Sequence, residues 1–198
     1  MFSEMKGIRQ YIKSVKISLI GLISFLLVFA ISATAQGQGI DCRSAAHWVT
    51  AYNGKQINHA HIFCGEINRQ GRLVGFHARP RGQNPSTVRQ FTLTQSANAQ
   101  GIYGGEWTYA GSPPATKFST MFPDRCTQAQ VLNSIAHAEA HRVQCPSGAP
   151  NWAWCGLNRP ADGNQQNSFC TANNSTTYTI AGATNSDGRI NTAFPVRR

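Results

Sequence analysis

Two histidines a short stretch apart, in His61-Ile62-Phe63-Cys64-Gly65-Glu66 and Arg72-Leu73-Val74-Gly75-Phe76-His77, are the residues best suited to chemistry in this chain. Imidazole titrates near ~6.5, so at neutral pH one ring can accept a proton while a second, protonated ring donates one. A hairpin-like segment that brings the two together can divide an acid–base reaction between them. Arg69, Arg72, Arg79, Arg81 and Arg89 surround the pair in sequence, which points to an anionic substrate. Two structural histidines satisfied by backbone hydrogen bonds are the alternative that the pair alone leaves open.

The elements that must position the pair can be read from periodicity. Residues 72–78, 88–94 and 105–110 have the alternation and the β-branched or aromatic content of strands. The clearest helix follows Phe122-Pro123-Asp124: Thr127 can cap it, Val131, Leu132, Ile135 and Ala138 recur at helical spacing, and Cys145-Pro146 sets its far limit. Residues 42–51 are expected to form a short helix ended by Asn53-Gly54. Residues 147–177, rich in Gly, Pro, Asn and Gln, read as a long surface excursion tied by disulfides. Residues 177–184 and 189–196, separated by Asn185-Ser186-Asp187-Gly188, carry a strong hairpin signal. Strands flanking one good helix predict an α+β domain.

Composition bounds the rest. A chain of 198 residues with 41% hydrophobic and 13% charged residues can build one domain with a real core, but not two large ones. Lys6, Arg9, Lys13 and Lys16 precede an apolar run over residues 17–31, and Ala33-Thr34-Ala35 follows. That order predicts a signal peptide over residues 1–35 and a mature domain over 36–198. An uncleaved membrane anchor is the alternative, although the run is short for a span of ~20 residues. Removing residues 1–35 leaves fourteen basic against seven acidic residues, so the cationic character belongs to the folded domain and suits a polyanionic partner. All six cysteines lie beyond the signal. An even count in an exported chain predicts disulfides, with fifteen possible pairings. No two form C-x-x-C, which leaves zinc ribbons and thioredoxin-like redox sites without support.

These pieces together resemble a known family. His61-Ile62-x-x-Gly65-Glu66 followed by Gly75-Phe76-His77 is similar to the two-histidine signature of EndoU-type endoribonucleases, a group that includes bacterial toxin domains, animal poly(U)-specific enzymes and the coronaviral uridylate-specific endoribonuclease. Lys117, in Lys-Phe-Ser-Thr-Met-Phe-Pro just before the helix, resembles the lysine of the bacterial members. The stretch Asp187-Gly188-Arg189-Ile190-Asn191-Thr192-Ala193-Phe194-Pro195 resembles their C-terminal strand. The resemblance covers the chain from about His59 onward.

It implies an EndoU-like (RNase A-like) α+β fold of antiparallel sheets and a secreted enzyme, extracellular or periplasmic, that cuts single-stranded RNA, with uridylate as the expected site. RNA can be cut by its own 2′-hydroxyl attacking the adjacent phosphorus, which needs a base, an acid and a positive charge on the phosphate. By resemblance His77 is the base, His61 the acid and Lys117 the electrostatic stabiliser, although nothing in the sequence forbids swapping the two histidines. Thr192 and Phe194 are the implied nucleotide-holding residues. Phe194 stands where the family often has Tyr, which keeps the stacking face and loses the hydroxyl. No cofactor is implied, divalent metal being a stimulator of some relatives. The implied partners are the RNA substrate and a cognate immunity protein, and the implied state is a monomer with no stable membrane association once the signal is removed.

Other residues are open to rival readings. His59 lies two residues before His61 but fits the Gly65-Glu66 spacing less well. His137 and His141 form His-Ala-Glu-Ala-His, an i, i+4 pair able to hold a metal, though a solvated helix face is the expected reading. Glu66 and Glu106 are candidates for orienting a histidine. Trp107, Trp152 and Trp154 are candidates for stacking on bases, although packing is the expected reading. The rival functions are a non-catalytic cationic module that binds nucleic acid or glycans, and a metal-dependent hydrolase using His137 and His141.

Overall fold

A computed structural model describes residues 39–162 and 166–198. The expected signal peptide over 1–35 lies outside the described residues. Among those described, no helix is long and apolar enough to cross a membrane.

The hairpin signalled by Asp187-Gly188 forms as expected. Strands β10 (Thr179–Thr184) and β11 (Ile190–Pro195) pair antiparallel around a turn in which Gly188 N–H donates to the Asn185 carbonyl at 3.0 Å. Gly188 has φ +83°, a conformation that costs glycine little. The pair sits inside a larger sheet. On one side β10 pairs with β9 (Trp154–Leu157), which pairs with β8 (Arg142–Val143). On the other side β11 runs parallel to β2 (Gln56–Asn58), itself paired with β1 (Trp48–Thr50). The resulting order is β1-β2-β11-β10-β9-β8. A second sheet is the antiparallel meander β5 (Val88–Gln95), β6 (Tyr103–Tyr109) and β7 (Thr116–Met121), and β3 (Glu66–Ile67) with β4 (Leu73–Val74) makes a short ribbon. Mostly antiparallel sheets with one well-formed helix among the described residues give the expected α+β fold.

Helix α1 (Gln128–Ala140) begins where Thr127 predicted it. Thr127 accepts from Gln130 N–H while the Gln130 side chain accepts from Thr127 N–H, a reciprocal cap of two otherwise unpaired donors. Its apolar face, with Val131 and Ile135, packs on the large sheet among Ile57, Ile62, Phe63, Phe122, Ile180 and Ile190. Each such fully buried side chain stabilises the fold by roughly 1.5–3 kcal/mol. The approach of α1 to β9 is so close that a Cβ on Gly156 would lie 1.9 Å from the Ala138 carbonyl oxygen, so this position admits only glycine. A second cluster, Phe76, Val88, Tyr103, Trp107 and Met121, fills the space beneath the three-stranded sheet.

Three expectations are corrected. Residues 42–51 do not form a helix: the Asp41 carbonyl accepts from Ser44 and Ala45 N–H to make a single turn, and Trp48–Thr50 then joins the sheet edge. The predicted strand over 72–78 ends at Val74, because Gly75 (φ +78°) and Phe76 (φ +59°) are left-handed and turn the chain inward. The stretch 147–177 is not wholly a surface excursion, since it contributes β9 to the interior of the large sheet and buries Asn158, Phe169 and Cys170.

The cysteines resolve as Cys42–Cys64, Cys126–Cys170 and Cys145–Cys155, with no free thiol. The first fastens the segment before β1 to the turn that carries His61. The second ties the start of α1 to the 147–177 stretch. The third closes a short loop between β8 and β9.

Candidate active site

His61 sits in a single π-type turn, Ala60–Cys64, whose i to i+5 bond runs from Gly65 N–H to the Ala60 carbonyl at 3.0 Å. Such turns are rare and recur at functional positions. The turn is fixed at its start by Asn58, whose Oδ1 accepts from His61 N–H at 2.9 Å. The amide group of Asn58 reaches Asn191 on β11 (3.2 Å) and Glu66 (3.4 Å). The segment carrying His77 is hung on the same turn: Phe76 N–H donates to the His61 carbonyl and His77 N–H to the Ile62 carbonyl, both at 2.7 Å. Here Gly75 is indispensable, because a Cβ would lie 2.2 Å from the His61 carbonyl oxygen.

This backbone knot brings the two imidazoles to 6.1 Å between ring centroids, with their planes 31° apart. His61 Nδ1–H donates to Glu66 Oε1 at 3.2 Å, and His77 Nδ1–H donates to the Thr120 carbonyl at 3.1 Å. Both tautomers are thereby set, and Nε2 is the nitrogen each ring can offer to a substrate. Glu66 is held below the usual carboxylate range mainly by its bond from His61. His77 is pushed well below its ordinary value by burial first, then by the positive charges of Lys117 and His61, so its neutral form dominates.

Lys117 enters from β7, the edge of the three-stranded sheet. Its Nζ donates to the Phe118 carbonyl and to Ser119 Oγ, both at 2.9 Å, and reaches the Gly75 carbonyl at 3.5 Å. Burial lowers its pKa from 10.5 to about 8, which leaves the ammonium predominantly charged at neutral pH. Ser119 is itself buried. It accepts from Trp107 Nε1–H at 3.1 Å and donates to the Gly75 carbonyl at 3.0 Å, so one hydroxyl fixes both the lysine and the turn before His77.

Across from Lys117, alternation along β11 buries Ala193 and turns Thr192 and Phe194 into the opening. The Phe194 ring lies 5.3 Å from that of His77. His61, His77, Lys117, Thr192 and Phe194 thus line one cavity of about 420 Å³, together with Val74, Gly75, Phe118, Ser119, Thr120 and Trp152. All five sequence-predicted residues come together there. None of the five nearby arginines lines the cavity: four are exposed, and Arg79 lies 4.5 Å over the Phe91 ring.

The rival residues are placed elsewhere. His59 bonds Gln128 at 2.7 Å and stacks on Phe63, a structural position. Glu106 is an exposed charge on β6, so of the two glutamates only Glu66 meets one of the paired histidines. The solvated face expected for the pair holds for His141, which is exposed, but not for His137, which is buried against Phe169 with its ring 4.4 Å from that of His141. That pair lines a different cavity, and among the described residues no group of three or more His, Cys, Asp or Glu is arranged to hold a metal. Trp107 packs in the core as expected. Trp152 does not: it is 61% exposed and stands at the cavity mouth. The sequence reading missed Asn58 and Ser119 altogether. No local signal marks them, since their partners lie up to 133 residues away.

In comparisons with known proteins, the family model described as bacterial EndoU nuclease matches residues 36–197. No curated protein and no solved structure matches the chain.

Proposed function

The chain belongs to the bacterial EndoU nuclease family, and from that premise we propose that it is a secreted endoribonuclease that cuts single-stranded RNA at uridylates by metal-independent transesterification. The observation that carries this reading is the pair of imidazoles 6.1 Å apart, in one cavity with a half-buried ammonium. All three side chains line that same cavity.

His77, neutral through burial, takes the proton of the 2′-hydroxyl at Nε2. The freed oxygen attacks phosphorus as the bond to the 5′-oxygen breaks, and His61 gives that oxygen its proton. Glu66 on Nδ1 holds the His61 ring in place as the proton moves. Lys117 meets the charge that gathers on the phosphate oxygens, a preorganised contact of the kind that contributes most in a site shielded from water. The products are a 2′,3′-cyclic phosphate and a 5′-hydroxyl. Thr192 and Phe194 hold the nucleotide, Phe194 by its ring face. The side chains supply all three functions the reaction needs, so no cofactor takes part and divalent metal enters only as a stimulator.

Export is supported by the basic and apolar N-terminal pattern and by the three disulfides, which persist in oxidising compartments. In this reading the mature chain is an extracellular or periplasmic monomer, without stable membrane association. It acts as a toxin against competitors or on environmental RNA, and a cognate immunity protein is its partner where it acts as a toxin.

The test is incubation of residues 36–198 with a defined RNA, with and without chelator, followed by analysis of the new ends. Cyclic phosphate and 5′-hydroxyl ends formed in chelator are expected. Cleavage of an all-deoxy strand at a comparable rate would refute the mechanism, because that strand lacks the internal nucleophile.

A further inference from the structure

Asn58 is buried, with 2% of its surface exposed, and its side-chain amide meets three separate parts of the site. Its Oδ1 accepts from His61 N–H at 2.9 Å, at the start of the turn that carries that ring. This bond fixes which way the amide faces, because of its two ends the oxygen alone can accept. Nδ2 therefore points the other way, and its two hydrogens go to Glu66 Oε1 at 3.4 Å and to Asn191 Oδ1 at 3.2 Å. Glu66 Oε1 is the same atom that accepts from His61 Nδ1–H. Asn191 precedes Thr192 on β11. Backbone pairing of β2 with β11 sets Ile57 opposite Ile190. The bond between the two asparagines carries that contact one residue nearer to Thr192.

We propose that Asn58 is a positioning residue for proton donation: its amide ties the His61 ring, through Glu66, to the strand that seats the nucleotide. This inference deepens the RNA-cleaving reading of the cavity and rests on it. A proton donor must meet the leaving 5′-oxygen within hydrogen-bond reach, and a misplacement of about 1 Å can lower such a rate about 100-fold. Thr192 and Phe194 set where the nucleotide sits, and Glu66 sets where Nε2 of His61 points. Asn58 touches both arrangements. Buried and hydrogen-bonded at both ends of its amide, it holds the distance between nucleotide and acid before substrate arrives. Its effect belongs to one event, protonation of the leaving oxygen, and leaves the tasks of His77 and Lys117 alone.

That event has a chemical bypass. When sulfur replaces the leaving 5′-oxygen, the 2′-oxygen still bonds to phosphorus and its proton still goes to His77. The phosphorus–sulfur bond then breaks with its electron pair on sulfur, and the thiolate departs without a proton, a thiol being far more acidic than an alcohol. The experiment compares kcat on two uridine-containing RNA dinucleotides, one with the normal 5′-oxygen and one with sulfur in its place. The proteins are the oxidised mature chain, residues 36–198, as wild type, His61→Ala, Asn58→Asp, Asn191→Ala and Ser119→Ala. Asn58→Asp keeps the oxygen that accepts from His61 N–H and sets a second carboxylate against Glu66. On the oxygen substrate its kcat is expected to fall about 10- to 100-fold, the worth of a hydrogen bond to a charged group. With sulfur that loss should all but vanish. Asn191→Ala, at a less buried position, should show a smaller loss that vanishes in the same way. Ser119→Ala acts through Lys117 and should stay equally slow on both substrates.

Losses that sulfur does not relieve, in Asn58→Asp or in Asn191→Ala, would overturn the proposal, and Asn191→Ala carries the test alone should Asn58→Asp not fold. His61→Ala separates this inference from the reading beneath it. Relief of that variant by sulfur keeps His61 as the acid while the asparagine variants are judged on their own; no relief removes His61 from the role. If the wild type leaves both substrates intact, the RNA-cleaving reading falls, and nitrogen-15 spectra of the His61 ring judge the positioning by itself. Asn58→Asp is then expected to weaken the preference for the proton on Nδ1, and an unchanged tautomer overturns the proposal.

Discussion

Phe76 N–H donates to the carbonyl of His61 at 2.7 Å, so the loop that delivers one imidazole is hung on the turn that delivers the other. Their separation is a property of the backbone rather than of two side chains finding each other across a cleft. Phe76 is fully buried in the left-handed region at φ +59°, a conformation that non-glycine residues keep only where the surroundings enforce it.

The first prediction follows from that arrangement. His61→Ala and His77→Ala should each lower RNA cleavage by about 10²–10⁴-fold, the usual contribution of a general acid or base, with circular dichroism unchanged. His137→Ala should leave cleavage near wild type, since its ring faces another cavity. Near-normal cleavage by either of the first two variants would reassign the residue concerned.

The second concerns pH. The base must be neutral, and burial holds His77 well below the ordinary imidazole range. The rate should therefore persist as pH falls through ~6.5 and decline only below it. Lys117 loses its charge near pH 8, so its own contribution to the rate should fall there. Lys117→Arg should keep that contribution to higher pH at reduced turnover, because a planar guanidinium does not reproduce a compact ammonium. The sign for stability is the same at the acid end. Below ~6.5 the unfolded chain gains His77's proton before the folded one does, so stability is lost from there downward. Glu66, depressed when folded, contributes stability above its ordinary value that is lost as pH falls through its folded one. Acid melting curves and a pH–rate profile check both; an acid limb at or above 6.5 would remove His77 from the role of base.

The third concerns Ser119. Ser119→Ala removes an acceptor from a charged lysine, a bond worth ~1.5–3 kcal/mol, so turnover should fall about tenfold or more. It also strands the buried Trp107 N–H, which should destabilise the fold by about 1–3 kcal/mol. Thermal melts and kinetics on the same sample separate the two effects. An unchanged kcat would mean that Lys117 is positioned by its backbone acceptors alone.

The fourth concerns the disulfides. Replacing Cys126 and Cys170 opens a sequence separation of 44 residues and should cost more stability, within ~2–4 kcal/mol, than replacing Cys145 and Cys155, which are separated by 10. Denaturant titration orders them. Mass spectrometry of secreted protein should show a chain starting near Gln36 without free thiol; retention of residues 1–35 would mean an anchor.

What was legible in the sequence had a local signature. Asp187-Gly188 marked the hairpin and Thr127 the helix start, while His61, His77, Lys117, Thr192 and Phe194 were singled out by short motifs that resemble those of a known family. What was not legible depended on partners distant in sequence. Asn58 and Ser119 are ordinary polar residues until folding places them beside Asn191 and Gly75. Residues 42–51 have helical composition, but Arg189 packs 4.1 Å over the Trp48 ring and the segment is drawn to the sheet edge. Polar composition in 147–177 suggested surface, yet Asn158 is buried because its side chain bonds the Cys170 carbonyl and Tyr178 N–H.

The position of β11 has a temporal meaning. It lies in the middle of the large sheet, between the early strand β2 and the late strand β10, and it brings Thr192 and Phe194. A chain that emerges vectorially, from a ribosome or across a membrane, holds no complete cavity until that strand has threaded between two neighbours made before it. The opening around His61, His77 and Lys117 gains Thr192 and Phe194 last.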